Sequence, residues 1–122
     1  MDKKCKILIA EDDDTNYLYM ETLLGMEGYQ IVRAFNGKEA IDIATSDNSI
    51  SLILMDIRMP DVNGYVASRE IKQARPSLPI IAQTAYALSD DKEKVEQAGC
   101  DDYLSKPIMK DDLLGTIKKY CP

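Results

Sequence analysis

The sequence predicts a doubly wound α/β fold over residues 1–122, read as a single domain with helices on both faces of a parallel sheet. Three observations carry that reading. Five short segments are mostly apolar, several of their residues being β-branched; they alternate with stretches whose apolar residues recur every three or four positions; and polar or turn residues separate the two kinds. A strand apolar on both faces needs cover on both, and strict alternation with helices implies right-handed crossovers between parallel strands.

The first strand is expected at Ile7 to Ala10, followed by a helix that Asp13 or Asp14 can cap. Tyr17, Met20, Leu23 and Leu24 give that helix one apolar side, and Gly25 and Gly28 mark where it should stop. The second strand is Ile31 to Ala34, then Asn36 caps a helix carrying Ala40, Ile41 and Ala44. Leu52 to Met55 is the third strand, with Ala67, Ile71 and Ala74 on the helix after it. Residues 75–79, with Pro76 and Pro79, form a rigid turn into the fourth strand, Ile80 to Thr84. Ser89 can cap the next helix, which carries Val95 and Ala98 and ends at Gly99. The last pair is the strand Asp102 to Ser105 and a helix capped by Asp111, with Leu113, Leu114, Ile117 and Tyr120 facing inward.

Composition narrows the chemistry. Of 122 residues, 21 are acidic and 15 basic, and the net charge of −6 works against duplex DNA or an anionic membrane as the main partner. No apolar run approaches the ~18 residues of a spanning helix, and the N-terminal residues 1–6 lack the apolar region of a signal peptide, so a cytoplasmic location is expected. Cys5, Cys100 and Cys121 are odd in number and lack CxxC spacing, so neither a disulfide framework nor a zinc site is expected, and the three are read as free thiols. There is no histidine, which removes histidine triads, imidazole metal sites and a phosphohistidine carried by this chain.

In an open parallel sheet, ligands bind beyond the carboxyl ends of the strands. The first strand runs into Glu11, Asp12, Asp13 and Asp14. Asp13 and Asp14 are assigned to capping the helix and favouring its dipole, whereas Glu11 and Asp12 leave the strand directly and concentrate negative charge on the sheet edge. An oxygen-only set of this size suits Mg²⁺ rather than a calcium cage. The third strand ends at Asp56; Asp61 and Asn63 already supply turn chemistry, so Asp56 is not needed for it. The fourth strand ends at Thr84, and the fifth is followed by Lys106. Acid, acid, hydroxyl and ammonium at four strand ends suit phosphoryl transfer to a carboxylate, in which a metal neutralises phosphoryl oxygens while the carboxylate attacks in line.

The runs Ile-Leu-Ile-Ala-Glu-Asp-Asp and Leu-Met-Asp-Ile-Arg-Met-Pro-Asp-Val-Asn-Gly, the Thr84-Ala85 pair and Asp-Tyr-Leu-Ser-Lys-Pro-Ile together resemble the receiver domain of two-component response regulators, over essentially the whole chain. The resemblance implies strand order 2-1-3-4-5. It implies that Asp56 is the phosphoacceptor, that Glu11 and Asp12 position Mg²⁺, and that the backbone carbonyl of Arg58 is a further ligand. Thr84 matches the switch hydroxyl, Lys106 the ammonium paired with the phosphoryl group, and Tyr103 the aromatic that turns inward when the hydroxyl moves. For Tyr103 the alternative is a half-buried packing tyrosine. The family usually has a cis peptide before the proline at the position of Pro107. Arg58 and Tyr86, each two residues beyond a key position, are bulky and predict a long-lived phosphoryl group. Glu11 and the stretch Thr-Ala-Tyr-Ala-Leu-Ser are similar to receivers of hybrid sensor kinases, and a piece of such a kinase is favoured over a stand-alone receiver.

The implied mechanism has a partner's phosphohistidine, on a histidine kinase or a histidine phosphotransfer domain, donating to Asp56 and shifting the face formed by the fourth helix, fifth strand and fifth helix toward a downstream partner. Three rivals exist. A haloacid-dehalogenase-like phosphatase also uses a strand-end Asp and Mg²⁺, but expects an acid where this chain has Arg58. A flavodoxin-like cofactor binder needs a phosphate-cradling loop after the first strand, where Glu11 to Asp14 would repel phosphate. A degenerate receiver that serves only as an interaction module would lack positions that are all filled here.

Overall fold

The computed structural model describes residues 5–59, 61–85 and 89–121, with 89–91 described through their backbone. The elements run β1 (Lys6–Ala10), α1 (Asp14–Met26), β2 (Gln30–Ala34), α2 (Gly37–Ser46), β3 (Ile50–Asp56), α3 (Gly64–Ala74), β4 (Ile80–Thr84), α4 (Ser89–Gln97), β5 (Asp102–Ser105) and α5 (Lys110–Tyr120). All strand pairs are parallel, in the order β2-β1-β3-β4-β5. That is the order the resemblance implied. No helix among the described residues is long and apolar enough to cross a membrane.

Alternation along the central strands builds two cores. Ile7, Ile9, Leu52, Leu54 and Ile81 meet Met20 and Leu24 of α1 and Leu113 and Ile117 of α5 on one face. Leu8, Ala10, Ile53, Met55 and Ile80 meet Ala40 and Ala44 of α2 and Ala67 and Ile71 of α3 on the other. Fully burying each Leu or Ile contributes roughly 1.5–3 kcal/mol, so β1 and β3, buried on both faces, anchor the sheet edge that carries the acids. Outer strands β2 and β5 are only half-buried and take the polar residues Gln30, Arg33 and Asp102.

Several expected boundaries move. Asp13 is the cap of α1, accepting from the Thr15 amide, while Asp14 is the first helical residue. Gly25 lies inside α1, where nothing stands within 4 Å of an added Cβ; the chain reverses instead at Gly28, whose φ of 90° needs glycine. Gly99, with φ 87°, follows α4 as expected. Asn36 caps α2 by accepting from the Glu39 amide. Asp111 does not cap α5: Met109 holds that position without a side-chain bond, and Asp111 sits in the first turn, where the helix dipole favours an acid just as a cap would. α4 begins at Ser89, and its side chain as a cap lies outside the described residues. Ala74 is exposed at the end of α3.

The cysteine expectation is corrected. Cys5 and Cys121 are bridged, with Cα atoms 6.0 Å apart across a separation of 116 residues, and Cys100 is the free thiol among the described residues. The start of β1 and the end of α5 lie at the same end of the sheet because helices in this fold run antiparallel to the strands. Local spacing rules cannot register a pairing made by topology.

Candidate functional site

β1 and β3 are neighbours, with Ala10 opposite Met55, so Glu11 and Asp56 leave adjacent strands on the same edge. One carboxylate oxygen each from Glu11, Asp12 and Asp56 lies within 4.8 Å of the others. Glu11 is 1% and Asp56 2% exposed, while Asp12 faces solvent. Asp56 Oδ1 accepts from Lys106 Nζ at 3.0 Å and from the Arg58 amide at 3.1 Å, which fixes the direction of Oδ2. Lys106 in turn donates its backbone N–H to the Thr84 carbonyl at 2.7 Å, tying the ends of β4 and β5 together. The Lys106–Pro107 peptide is cis. Thr84 is buried at the end of β4, one strand from Asp56. Thus Glu11, Asp12, Asp56 and Lys106 converge directly, and Thr84 flanks them.

The loop after Asp56 is held by its own turn residues. Asn63 caps α3 by accepting from the Val66 amide, and Asp61 accepts from the Gly37 and Lys38 amides at the start of α2. Gly64 has a separate reason to be glycine: a Cβ there would stand 2.4 Å from the Asp56 carbonyl oxygen and 2.6 Å from Ile57 Cα. The absent side chain lets α3 begin directly against the backbone that carries Asp56.

Glu11 is the most constrained acid. Its carboxylate accepts from the Asn16 side-chain amide and from the Asp13 backbone at 3.2 Å. Burial first, and then the neighbouring Asp56 carboxylate, push its pKa from 4.5 up to about 7, against the opposing pull of Asn16 and Lys106. Such a shift is the signature of buried acids crowded without enough positive charge. An oxygen-only donor set in that condition fits a hard divalent cation of the size of Mg²⁺. Beside it opens a cleft of about 650 Å³ lined by Asn16, Tyr19, Ala85, Lys106, Pro107 and Ile108.

Arg58 is exposed, and Tyr86 lies outside the described residues, as does Pro60 of the motif. Tyr103 is half-buried and packs against the small cluster of Ile57, Ala82 and Val95. Three residues absent from the sequence-based site also reach it. Asn16 touches Glu11, Gln83 approaches Asn16 at 3.4 Å, and Arg33 bonds the Glu11 backbone. Gln83 is fully buried and its Nε2 has no partner among the described residues. The signal available for Gln83 and Arg33 was a polar residue within an otherwise apolar strand.

The chain is similar to several known proteins. Over 116 residues the chain is 38% identical to the polar-differentiation response regulator DivK of Brucella anthropi, covering 93% of this chain and 94% of that protein. The receiver domain of a sensor histidine kinase from Pseudomonas aeruginosa, solved with a magnesium ion coordinated in its active-site cleft, superposes with a TM-score of 0.88 at 36% identity, covering 96% of this chain and 97% of that one. The receiver domain of Ssk1 from Saccharomyces cerevisiae, solved with the histidine phosphotransfer protein Ypd1, superposes with a TM-score of 0.90 at 28% identity, covering 98% of this chain and 90% of that one. Residues 7–118 match the family model described as the response regulator receiver domain. With a site of this geometry at the carboxyl edge of a 2-1-3-4-5 sheet, the chain belongs to the response regulator receiver domain family.

Proposed function

We propose that the chain is a phosphoryl-accepting switch in a cytoplasmic two-component relay, with Asp56 as the acceptor. The observation that carries this reading is the convergence of three carboxylates and Lys106, with Asp56 buried and its Oδ1 held by two donors. Glu11, Asp12, Asp56 and the Arg58 carbonyl would hold Mg²⁺, which when bound neutralises phosphoryl oxygens that the acids would otherwise repel. The donor is a phosphohistidine on a histidine kinase or phosphotransfer domain, since this chain has no histidine. The phosphorus–oxygen bond to Asp56 forms as the phosphorus–nitrogen bond to the donor imidazole breaks, and the imidazole leaves neutral with a proton on its other nitrogen. Lys106 Nζ, now beside Asp56 Oδ1, then pairs with a phosphoryl oxygen, and the Thr84 hydroxyl donates to another.

The readout in this proposal is the face of α4, β5 and α5. Among the described side chains of α4, Val95 alone is buried, and Tyr103 of β5 packs on the cluster that Val95 forms with Ile57 and Ala82. Drawing Thr84 toward the phosphoryl group would then bias α4 and Tyr103 together through the cluster that holds Val95. Incubation with Mg²⁺ and acetyl phosphate, followed by intact mass, tests the chemistry. One added phosphoryl group in wild type, absent without Mg²⁺ and absent in Asp56→Asn, is expected. Steady phosphate release with turnover would instead indicate a phosphatase, and no adduct at all would indicate an interaction module.

A further inference from the structure

We infer that Arg33 is a positioning residue for the acidic site, setting the peptide that links Glu11 to Asp12; the inference rests on the magnesium reading above. Arg33 lies on β2 opposite Ile9 of β1, two residues short of Glu11. Its Nε and Nη2 donate to the Glu11 carbonyl at 3.1 and 3.0 Å, and Nη2 also pairs with Asp14 Oδ1 at 2.9 Å. The guanidinium is clamped between two rings, 4.3 Å from the Tyr17 centroid and 4.0 Å from that of Phe35. Phe35 is half exposed, a position that core packing does not explain but a cation–π shelf does.

The consequence reaches the metal ligands through the backbone. The Glu11 amide donates to the Ala34 carbonyl at 3.0 Å, so Arg33 supplies the second fixed point, at the Glu11 carbonyl. A peptide unit is planar, so holding that carbonyl also fixes the Asp12 nitrogen and Cα. Asp12 is the exposed acid of the three, and its carboxylate depends on this plane for its direction. Lysine cannot reproduce a two-pronged bond to one oxygen, nor the stacking between rings.

Coulomb's law alone gives the opposite expectation, which makes the inference testable by sign. A cation bonded next to the acids repels Mg²⁺, so removing it should tighten binding if charge were all that mattered. If position matters, removing it should weaken binding, by about 10-fold as for other partners that orient metal ligands. Mg²⁺ titration calorimetry on the full chain would compare wild type, Arg33→Lys, Arg33→Met and Asp12→Asn, each with a metal-free melting curve. Arg33→Lys keeps the charge and most of the stem should Arg33→Met fail to fold. The expected results are a Kd raised about 10-fold in Arg33→Lys, and no further rise when Arg33→Lys is added to Asp12→Asn. Wild-type binding in Arg33→Lys, tighter binding in a folded Arg33→Met, or full additivity with Asp12→Asn, would overturn the inference. No Mg²⁺ binding in wild type would overturn the magnesium reading itself, and this inference with it.

Discussion

Replacing Glu11 by Gln should stabilise the metal-free chain at about pH 8, although it removes a residue of the site. In the folded chain the Glu11 pKa stands near 7, against 4.5 ordinarily, because the carboxyl is buried and faces Asp56. Folded Glu11 thus holds its proton more tightly than the unfolded chain does. Its favourable contribution is fully present below the ordinary value and lost as pH rises through about 7. At 1.36 kcal/mol per pH unit the gap corresponds to about 3 kcal/mol. Gln keeps an acceptor for Asn16 but turns an amide toward the Asp13 N–H, sacrificing the 3.2 Å bond, about 1 kcal/mol. The net gain is then about 2 kcal/mol, or roughly 6–10 °C in Tm for a domain of this size. Circular-dichroism melts in EDTA would read it at about pH 8 and again at about pH 4, where the gain should vanish and turn into a small loss. Equal destabilisation of Glu11→Gln at both pH values would refute the charge crowding at the heart of the site.

Other outcomes follow from the same geometry. Lys106→Met leaves the Asp56 carboxylate buried without its 3.0 Å partner, so the metal-free chain should lose about 1–3 kcal/mol, and saturating Mg²⁺ should restore much of it in thermal melts. An equal loss with and without Mg²⁺ would count against a shared charge role for ammonium and metal. Gly64→Ala should cost about 1–3 kcal/mol in urea denaturation and slow phosphorylation, because its Cβ collides with the Asp56 backbone. Gly25→Ala, in open space inside α1, should instead stabilise by up to about 1 kcal/mol. Leu24→Ala, in the core that α1 shares with β1 and α5, should cost about 2–5 kcal/mol with phosphoryl acceptance retained under conditions where the chain stays folded.

Residues acting at the ends of strands were legible because topology alone delivers them to one edge. Once Ile7 to Ala10 and Leu52 to Met55 read as buried parallel strands, Glu11 and Asp56 had to emerge on the same side of the sheet. Strand order was not legible from periodicity, and came from the resemblance. What stayed hidden depends on side-chain direction. Asn16 reaches Glu11 only because α1 is rotated to bury Met20 and Leu24, and Arg33 reaches back across the β1–β2 register to a carbonyl. Neither contact has a spacing signature. The Cys5–Cys121 bridge was missed for the same reason, since it joins opposite ends of the chain in space. Asp111 shows a different failure, because a cap and a first-turn acid carry the same composition signal.

The most direct test of the central claim is chemical localisation of the phosphoryl group. After reaction with acetyl phosphate and Mg²⁺, borohydride reduction converts an acyl phosphate to the alcohol, and peptide mass spectrometry reads which residue changed. Homoserine at position 56, formed only when Mg²⁺ was present, is the predicted result. Reduction at Glu11 or Asp12, or labelling of Asp56 that is indifferent to Mg²⁺, would contradict the account.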